Sequence, residues 1–460
     1  MNSSPQDSLS SDSLSSDSRP SESRLAWIAY GVFCVALTAY VACLTPFRSE
    51  MLLADAWEHH AAVLTLSDNL WTPGNPTYAS EDPSIRYSPY SVGLAILCRN
   101  TGITPYSALS IAAVFNTLAF CAVFWWFLRG FAMASIALAA GICVVFLYGE
   151  APGYANSFAL SDLPWHMVNP SAFSMLLNFV CWGLLWRVRS SSATPTVIAV
   201  VVVAVALAVS VLSHGMTGVL GTIGVILLIL AVDSAQRSRM ATMAIGVGVL
   251  SLGLCIAWPW YRFIDAAAGG HDPWYWFNPT ILQRMFFLWC APVYLATLLA
   301  LPYRGEPLVR WSLAVSGTVI VLGIISWIAI LSEPYLARPL IAPLLKREDK
   351  QPRIWSTYQT VLAEIQPSEV VLSDMETGWP VPSFGGRIVA ANHLELFSEG
   401  QRKRLADAER FFKTQSAQER QNLIDSYAVR YILVSRDSPL ASHIRDTAIV
   451  AESNALVLMD

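Results

Sequence analysis

The chain has 460 residues, of which 54% are hydrophobic and only 13% charged, with a formal net charge of −4. Soluble domains carry roughly 25% charged residues, so this composition excludes an ordinary soluble globular protein, and its slightly acidic balance points to no nucleic-acid partner. It is the composition of an integral membrane protein.

Residues 1–24 repeat Ser-Leu-Ser-Ser-Asp and hold almost nothing that could form a core, which predicts a disordered, Ser-rich cytoplasmic tail. The stretch lacks the basic n-region of a signal peptide, so the apolar run after it reads as a retained anchor. A spanning helix needs about 20 apolar residues, because only a helix satisfies its own backbone inside the hydrocarbon layer. Nine stretches qualify, near 25–47, 105–128, 131–149, 171–187, 195–212, 215–232, 241–260, 281–303 and 309–331. The expected architecture is an all-α polytopic membrane domain over 25–345, followed by a small extracytoplasmic α/β domain over 346–460.

Arginines set the orientation. Arg129, then Arg187 and Arg189, then Arg237 and Arg239, then Arg304 and Arg310 fall in alternate loops, which the positive-inside rule places in the cytoplasm. The remaining loops (48–104, 150–170, the corner Ser213–Met216 and 261–280) and the tail after 332 then lie outside. All seven histidines are in those outer segments, although spans exclude histidine in any case. The expected location is the cell's inner (plasma) membrane, with the chain multi-pass, its N-terminus cytoplasmic and its C-terminal domain extracytoplasmic.

The first outer loop carries the strongest chemical signal. It begins Ala54-Asp55-Ala56-Trp57-Glu58-His59-His60, passes through Trp71-Thr72-Pro73-Gly74-Asn75-Pro76 and ends Arg86-Tyr87-Ser88-Pro89-Tyr90. Asp55 and Glu58 share one face of a predicted helix, with His59 one turn beyond Asp55. Carboxylates at a membrane surface can bind a divalent cation, Mg or Mn, or take a proton from a hydroxyl. The same spacing also fits a solvated helix with Trp57 as an interfacial anchor.

In the second outer loop Asp162, Trp165 and His166 combine an acid, an aromatic platform and a histidine. His214 occupies a tight corner whose Gly215 allows close approach, and it equally fits a helix cap. Arg86, Arg262, Arg284 and Arg338 lie near outer span ends, where they can meet a phosphate or snorkel to lipid head groups. The substrate-binding candidates are Trp57, His59, Arg86, Tyr87, Asp162, His166, His214 and Arg262. No His-Glu-x-x-His helix and no glycine-rich phosphate loop occurs.

The tail alternates helical and strand patterns. Helical spacing at Trp355, Tyr358, Leu362 and Ile365 precedes strands at 369–373, 387–390, 431–435 and 455–459, with helices at 401–412 and 417–427.

An acid just after the first span, a long loop with Trp-Thr-Pro and Asn-Pro, and the Tyr-Ser-Pro-Tyr entry to the next segment resemble the GT-C superfamily of polyprenyl-phosphate-sugar-dependent glycosyltransferases. Val371-Leu372-Ser373-Asp374 and Tyr431-Ile432-Leu433-Val434 in an exterior α/β tail are similar to its bacterial multispanning members. The resemblance implies an inverting transferase with Asp55 as base or metal contact, and Glu58 as a second catalytic acid that departs from the commonest adjacent-acid pairs. Its partners would be a polyprenyl-phosphate sugar donor, membrane lipid and an exterior acceptor such as a glycan, lipid or protein. A transporter, or a noncatalytic subunit of envelope polysaccharide assembly or export, is the alternative class.

Overall fold

The computed structural model describes residues 24–44, 55–130, 132, 134–146, 158, 160, 163–268, 354–391, 397–398, 400–438, 449–453 and 455–459. The expectations for 1–23, for Asp162, Arg284 and Arg338, and for the spans at 281–303 and 309–331 lie outside them. Five described helices are long and apolar enough to cross a membrane: α1 (Arg24–Leu44), α4 (Pro105–Leu128), α7 (Pro170–Val188), α8 (Ala193–Ser213) and α10 (Ser234–Ile256). Two shorter apolar helices, α5 (Ala134–Phe146) and α9 (Gly215–Ala231), occupy two more of the expected spans. Helix α10 starts earlier than its apolar run, so Arg237 and Arg239 stand in its first turns rather than in a loop. Arg239 there donates to Ser191 O and to Thr196 Oγ1, the latter at 2.6 Å.

Between α1 and α4 the loop read from sequence contains two helices, α2 (Ala56–Asp68) and α3 (Pro89–Thr101). Helix α3 has complete stop and start signals. Ser88 caps it by accepting from Ser91 N, Pro89 fills the position that needs no N–H, and Gly102 ends it at φ 73°. Helix α2 is far from the solvated helix the sequence allowed, since His59, His60, Ala61, Ala62, Val63 and Leu66 are all buried.

Helix α9 packs tightly because glycine recurs every three residues along it. A Cβ on Gly218 would meet Val211 Cα at 2.5 Å, one on Gly221 would meet Asn178 Oδ1 at 2.3 Å, and one on Gly224 would meet the Trp182 ring at 2.2 Å. The space freed by Gly221 holds a buried polar ladder. Asn178 Nδ2 donates to Thr217 O at 2.7 Å and Ser210 Oγ donates to Asn178 Oδ1 at 2.9 Å. Gly221→Ala is therefore expected to break this ladder and destabilise the protein by about 1–3 kcal/mol, the usual cost of overpacking. A detergent-solubilised variant that melts with the wild type would contradict the packing described.

The bundle has two chemically different ends. At one, arginines and indoles tie the turns together: Arg187 donates to Trp126 O and lies 3.8 Å over the Trp126 ring, and Trp186 Nε1 donates to Gly130 O at 3.2 Å. At the other end, Tyr90 OH donates to Val168 O at 2.7 Å, Trp258 Nε1 to Tyr87 O at 3.0 Å and Trp260 Nε1 to Leu70 O at 2.7 Å. The described loops that the arginine pattern assigned to one side are thus gathered at one end.

The remaining elements are α6 (Leu163–His166) and α11 (Phe263–Ala267) in the bundle, then α12 (Ile354–Val361), β1 (Val370–Ser373), α13 (Met375–Gly378), β2 (Arg387–Ile388), α14 (Gln401–Lys413), α15 (Ala417–Tyr427), β3 (Val429–Ser435), β4 (Ile449–Glu452) and β5 (Leu456–Met459). The sheet order is β2-β1-β3-β5-β4, with β1 parallel to both neighbours and the β3–β5 and β4–β5 pairs antiparallel. Alternate strand residues face opposite layers. Val371, Leu433 and Leu458 pack under α12, whereas Leu372, Ile432 and Val457 pack with Phe411 and Leu423 of α14 and α15. The tail is therefore an α/β unit, and every strand expected from the sequence is present. Edge strand β4 was not expected, since its mostly exposed residues carry no alternation.

Candidate functional site

The α/β unit sits directly on the first loop. The rings of Trp57 and Trp355 stack at 5.7 Å and 2°, Tyr358 and Phe384 close the cluster, and Ser383 Oγ donates to Trp57 O at 2.8 Å. Farther along the loop, Ile388 N donates to Thr77 O at 2.9 Å and the Arg404 guanidinium lies 5.0 Å over Tyr78. These contacts fix helix α2 from outside, while its other faces pack on α3 and α4.

Asp55 lies at the N-terminus of α2, where its own backbone carbonyl accepts from His59 N at 3.0 Å and its side chain caps nothing. The carboxylate acts electrostatically on two imidazoles brought from other loops, His166 at the end of α6 and His214 at the corner between α8 and α9. Burial drives both rings toward the neutral form, His166 to about 3 and His214 to about 4, against the partial opposing pull of Asp55. The positive charge of Arg86 acts with burial in lowering His214, as His214 does in lowering His166.

His214 is held firmly. Its Nδ1 accepts from Thr217 N at 3.3 Å and lies 2.7 Å from Thr217 Oγ1. An Nδ1 that accepts a backbone N–H carries no proton, so in the neutral ring Nε2–H is the donor.

Next to this group is a charged pair. Arg86 is ion-paired with Glu58, the two side chains being 17% and 10% exposed, and Trp379 Nε1 of the α/β unit donates to Glu58 Oε1 at 3.1 Å. A carboxylate this enclosed needs partners of that kind. Trp379→Phe keeps the ring and removes the N–H, so the enclosed carboxylate loses a partner and the protein is expected to be destabilised by about 1.5–3 kcal/mol, the scale of one hydrogen bond to a charged group. A wild-type melt in this variant would mean that Glu58 needs no support from the α/β unit.

Of the residues expected from sequence, the structure brings together Asp55, Glu58, Arg86, His166 and His214. It places others elsewhere. Trp57 is 5% exposed inside its aromatic cluster, and Tyr87 is 1% exposed and donates to Gly74 O at 2.7 Å. Both rings are closed in by protein, Trp57 by its aromatic cluster and Tyr87 against the loop backbone. His59 is 5% exposed within buried α2. Arg262 is largely exposed and pairs with Asp265 at 3.2 Å, as a surface ion pair does. Trp379 was missed because its partner Glu58 is 321 positions away, whereas Thr217 stands three residues after His214 in the local helix cap.

Among the described residues no three His, Cys, Asp or Glu side chains are grouped to hold a metal ion, and Glu58 is already engaged by Arg86 and Trp379. The described residues alone therefore do not complete a donor set for the expected cation at Asp55.

The neutral imidazoles make a stability prediction. Free histidine titrates near 6.5, above the folded values of about 3 and about 4. As pH falls, the unfolded chain takes up these protons first, so stability present above pH 6.5 is lost on acidification, by about 1.4 kcal/mol per pH unit for each ring. Melts between pH 7.5 and 5 should move down, and His166→Gln with His214→Gln should flatten that slope. A slope identical in the double variant would contradict the assignment.

No family model matches the chain, and no curated protein matches it. Among solved structures the chain is similar to the crystal structure of ArnT from Cupriavidus metallidurans bound to undecaprenyl phosphate, with a TM-score of 0.49 and 11% sequence identity, covering 95% of this chain and 98% of that one. A likeness of that degree assigns neither residues nor an activity to this chain.

Proposed function

We propose that this protein is a membrane glycosyltransferase that moves a sugar from a polyprenyl phosphate to an acceptor outside the cytoplasm. The observation that carries the reading is the convergence of Asp55, two buried neutral imidazoles and the Arg86–Glu58 pair at one end of an apolar helical bundle. A polyprenyl donor keeps its tail among apolar helices and its sugar phosphate at the surface, which is where this cluster lies. The acceptor hydroxyl attacks the anomeric carbon and gives its proton to Asp55, while the carbon–oxygen bond to phosphate breaks and the lipid phosphate leaves with the electron pair. Arg86 offsets the charge that develops on that phosphate, and Glu58 with Trp379 fixes the guanidinium in place. The His214 Nε2–H is a neutral donor that leaves Asp55 charged and able to accept a proton.

The site belongs on the exterior face, with the N-terminus inside. A reporter fused after Asp460 should be active only outside the cytoplasm, and one placed at the turn near Arg189 only inside. A cytoplasmic signal from the Asp460 fusion would overturn the reading, because the α/β unit and Asp55 share one end of the bundle.

A further inference from the structure

Helices α7 and α8 run antiparallel and are joined by Ser174 Oγ donating to Ser210 O at 3.1 Å, and by Ser210 Oγ, whose single proton is shared between Ser174 O at 3.2 Å and Asn178 Oδ1 at 2.9 Å. One turn nearer the site end, the same faces present Ser171 of α7 and Ser213 of α8. These hydroxyls are buried, at 1% and 8% exposure, and among the described residues neither Oγ has a hydrogen-bond partner. Asn169 Oδ1, just before α7, is likewise buried without one. The turn below is fully satisfied, through Ser174, Ser210, Asn178 and Thr217. The turn above carries His214, next in sequence to Ser213, and His166, both within the field of Asp55.

We propose that Ser171, Ser213 and Asn169 form a subsite for the sugar ring of the donor, a deepening that rests on the glycosyltransferase reading. Buried polar atoms almost always have partners, so two facing hydroxyls and an amide oxygen left over at one level point to a guest that supplies them. The chemistry selects that guest. Hydroxyls donate and accept, as sugar hydroxyls do, and Asn169 Oδ1 accepts from them. No cation belongs to the group, so a phosphate is not matched here and stays with Arg86. An apolar guest would leave the three atoms unsatisfied. A monosaccharide held by these atoms lies beside the two imidazoles, with its anomeric carbon toward Asp55.

The test uses the full-length protein in detergent, with undecaprenyl phosphate and a panel of undecaprenyl-phosphate hexoses and pentoses as probes, and native mass spectrometry to give each affinity. At least one sugar-bearing lipid should bind about tenfold or more tightly than undecaprenyl phosphate. Ser171→Ala and Ser213→Ala should each reduce that sugar-dependent gain by about fivefold, the scale of one lost hydrogen bond, and leave undecaprenyl phosphate binding unchanged. The ligand-free melts should stay level or rise, because each variant removes an unpartnered hydroxyl. Binding of undecaprenyl phosphate with no gain from any sugar, or a gain that survives in both variants, would overturn the subsite alone. Failure of undecaprenyl phosphate and of every donor to bind would overturn the glycosyltransferase reading with it.

Discussion

Asp55→Asn should lower sugar transfer by about 100-fold or more while leaving the fold intact. Asparagine has the same shape as aspartate but cannot accept a proton at neutral pH, and loss of a positioned general base costs rates on this scale. The side chain makes no cap hydrogen bond to α2, so the helix does not depend on its charge. The two imidazoles are held neutral by burial against the pull of Asp55, so removing the carboxylate should leave them neutral at pH 7. Transfer rates are to be compared at matched amounts of inserted protein with matched melting temperatures. Near-normal transfer by Asp55→Asn would remove Asp55 from the chemistry and direct attention to Asp162 and Asp265, the acids in the other outer loops best placed near the membrane surface.

Arg86→Gln should cause a second loss of about 100-fold, in line with removing one charge-stabilising donor from a transition state. Its signature differs from that of Asp55→Asn. In the proposed reaction the guanidinium meets the phosphate, so binding of undecaprenyl phosphate should weaken together with turnover, whereas Asp55→Asn should leave that binding unchanged. Removing Arg86 also takes the ion-pair partner from the enclosed Glu58 carboxylate, which destabilises the variant. Adding Glu58→Gln should restore the melt but not the turnover. Recovery of turnover in the double variant would mean that Arg86 serves only to neutralise Glu58.

Much of the architecture was legible because it follows from hydrophobic run length and the alternation of arginines, both of which are local signals. The strands of the α/β unit were legible for the same reason, as short apolar runs between polar helices. Helix α3 was passed over as loop: its 13 residues are too few to span, although Ser88, Pro89 and Gly102 mark both of its ends. The roles of aromatic residues were harder to read. Trp57 in a polar loop is compatible with a sugar platform, a lipid anchor or a packing partner, and its stack on Trp355 depends on a residue almost 300 positions away. Trp379 reaches Glu58 across 321 positions and carries no motif of its own. His166 and His214 could each be assigned to the outer side, but their shared relation to Asp55 arises only when α7, α8 and α9 pack together around their serines and glycines.

The most direct measurement of the central claim is the fate of label when purified protein is incubated with radiolabelled polyprenyl-phosphate sugars and an extract of envelope glycans and lipids. For at least one donor the labelled sugar should move to an acceptor as unlabelled lipid phosphate is released in equal amount, and Asp55→Asn should slow both by about 100-fold or more. Donors that remain intact throughout, or that cross the membrane of a proteoliposome with the sugar–phosphate bond unbroken, would contradict it.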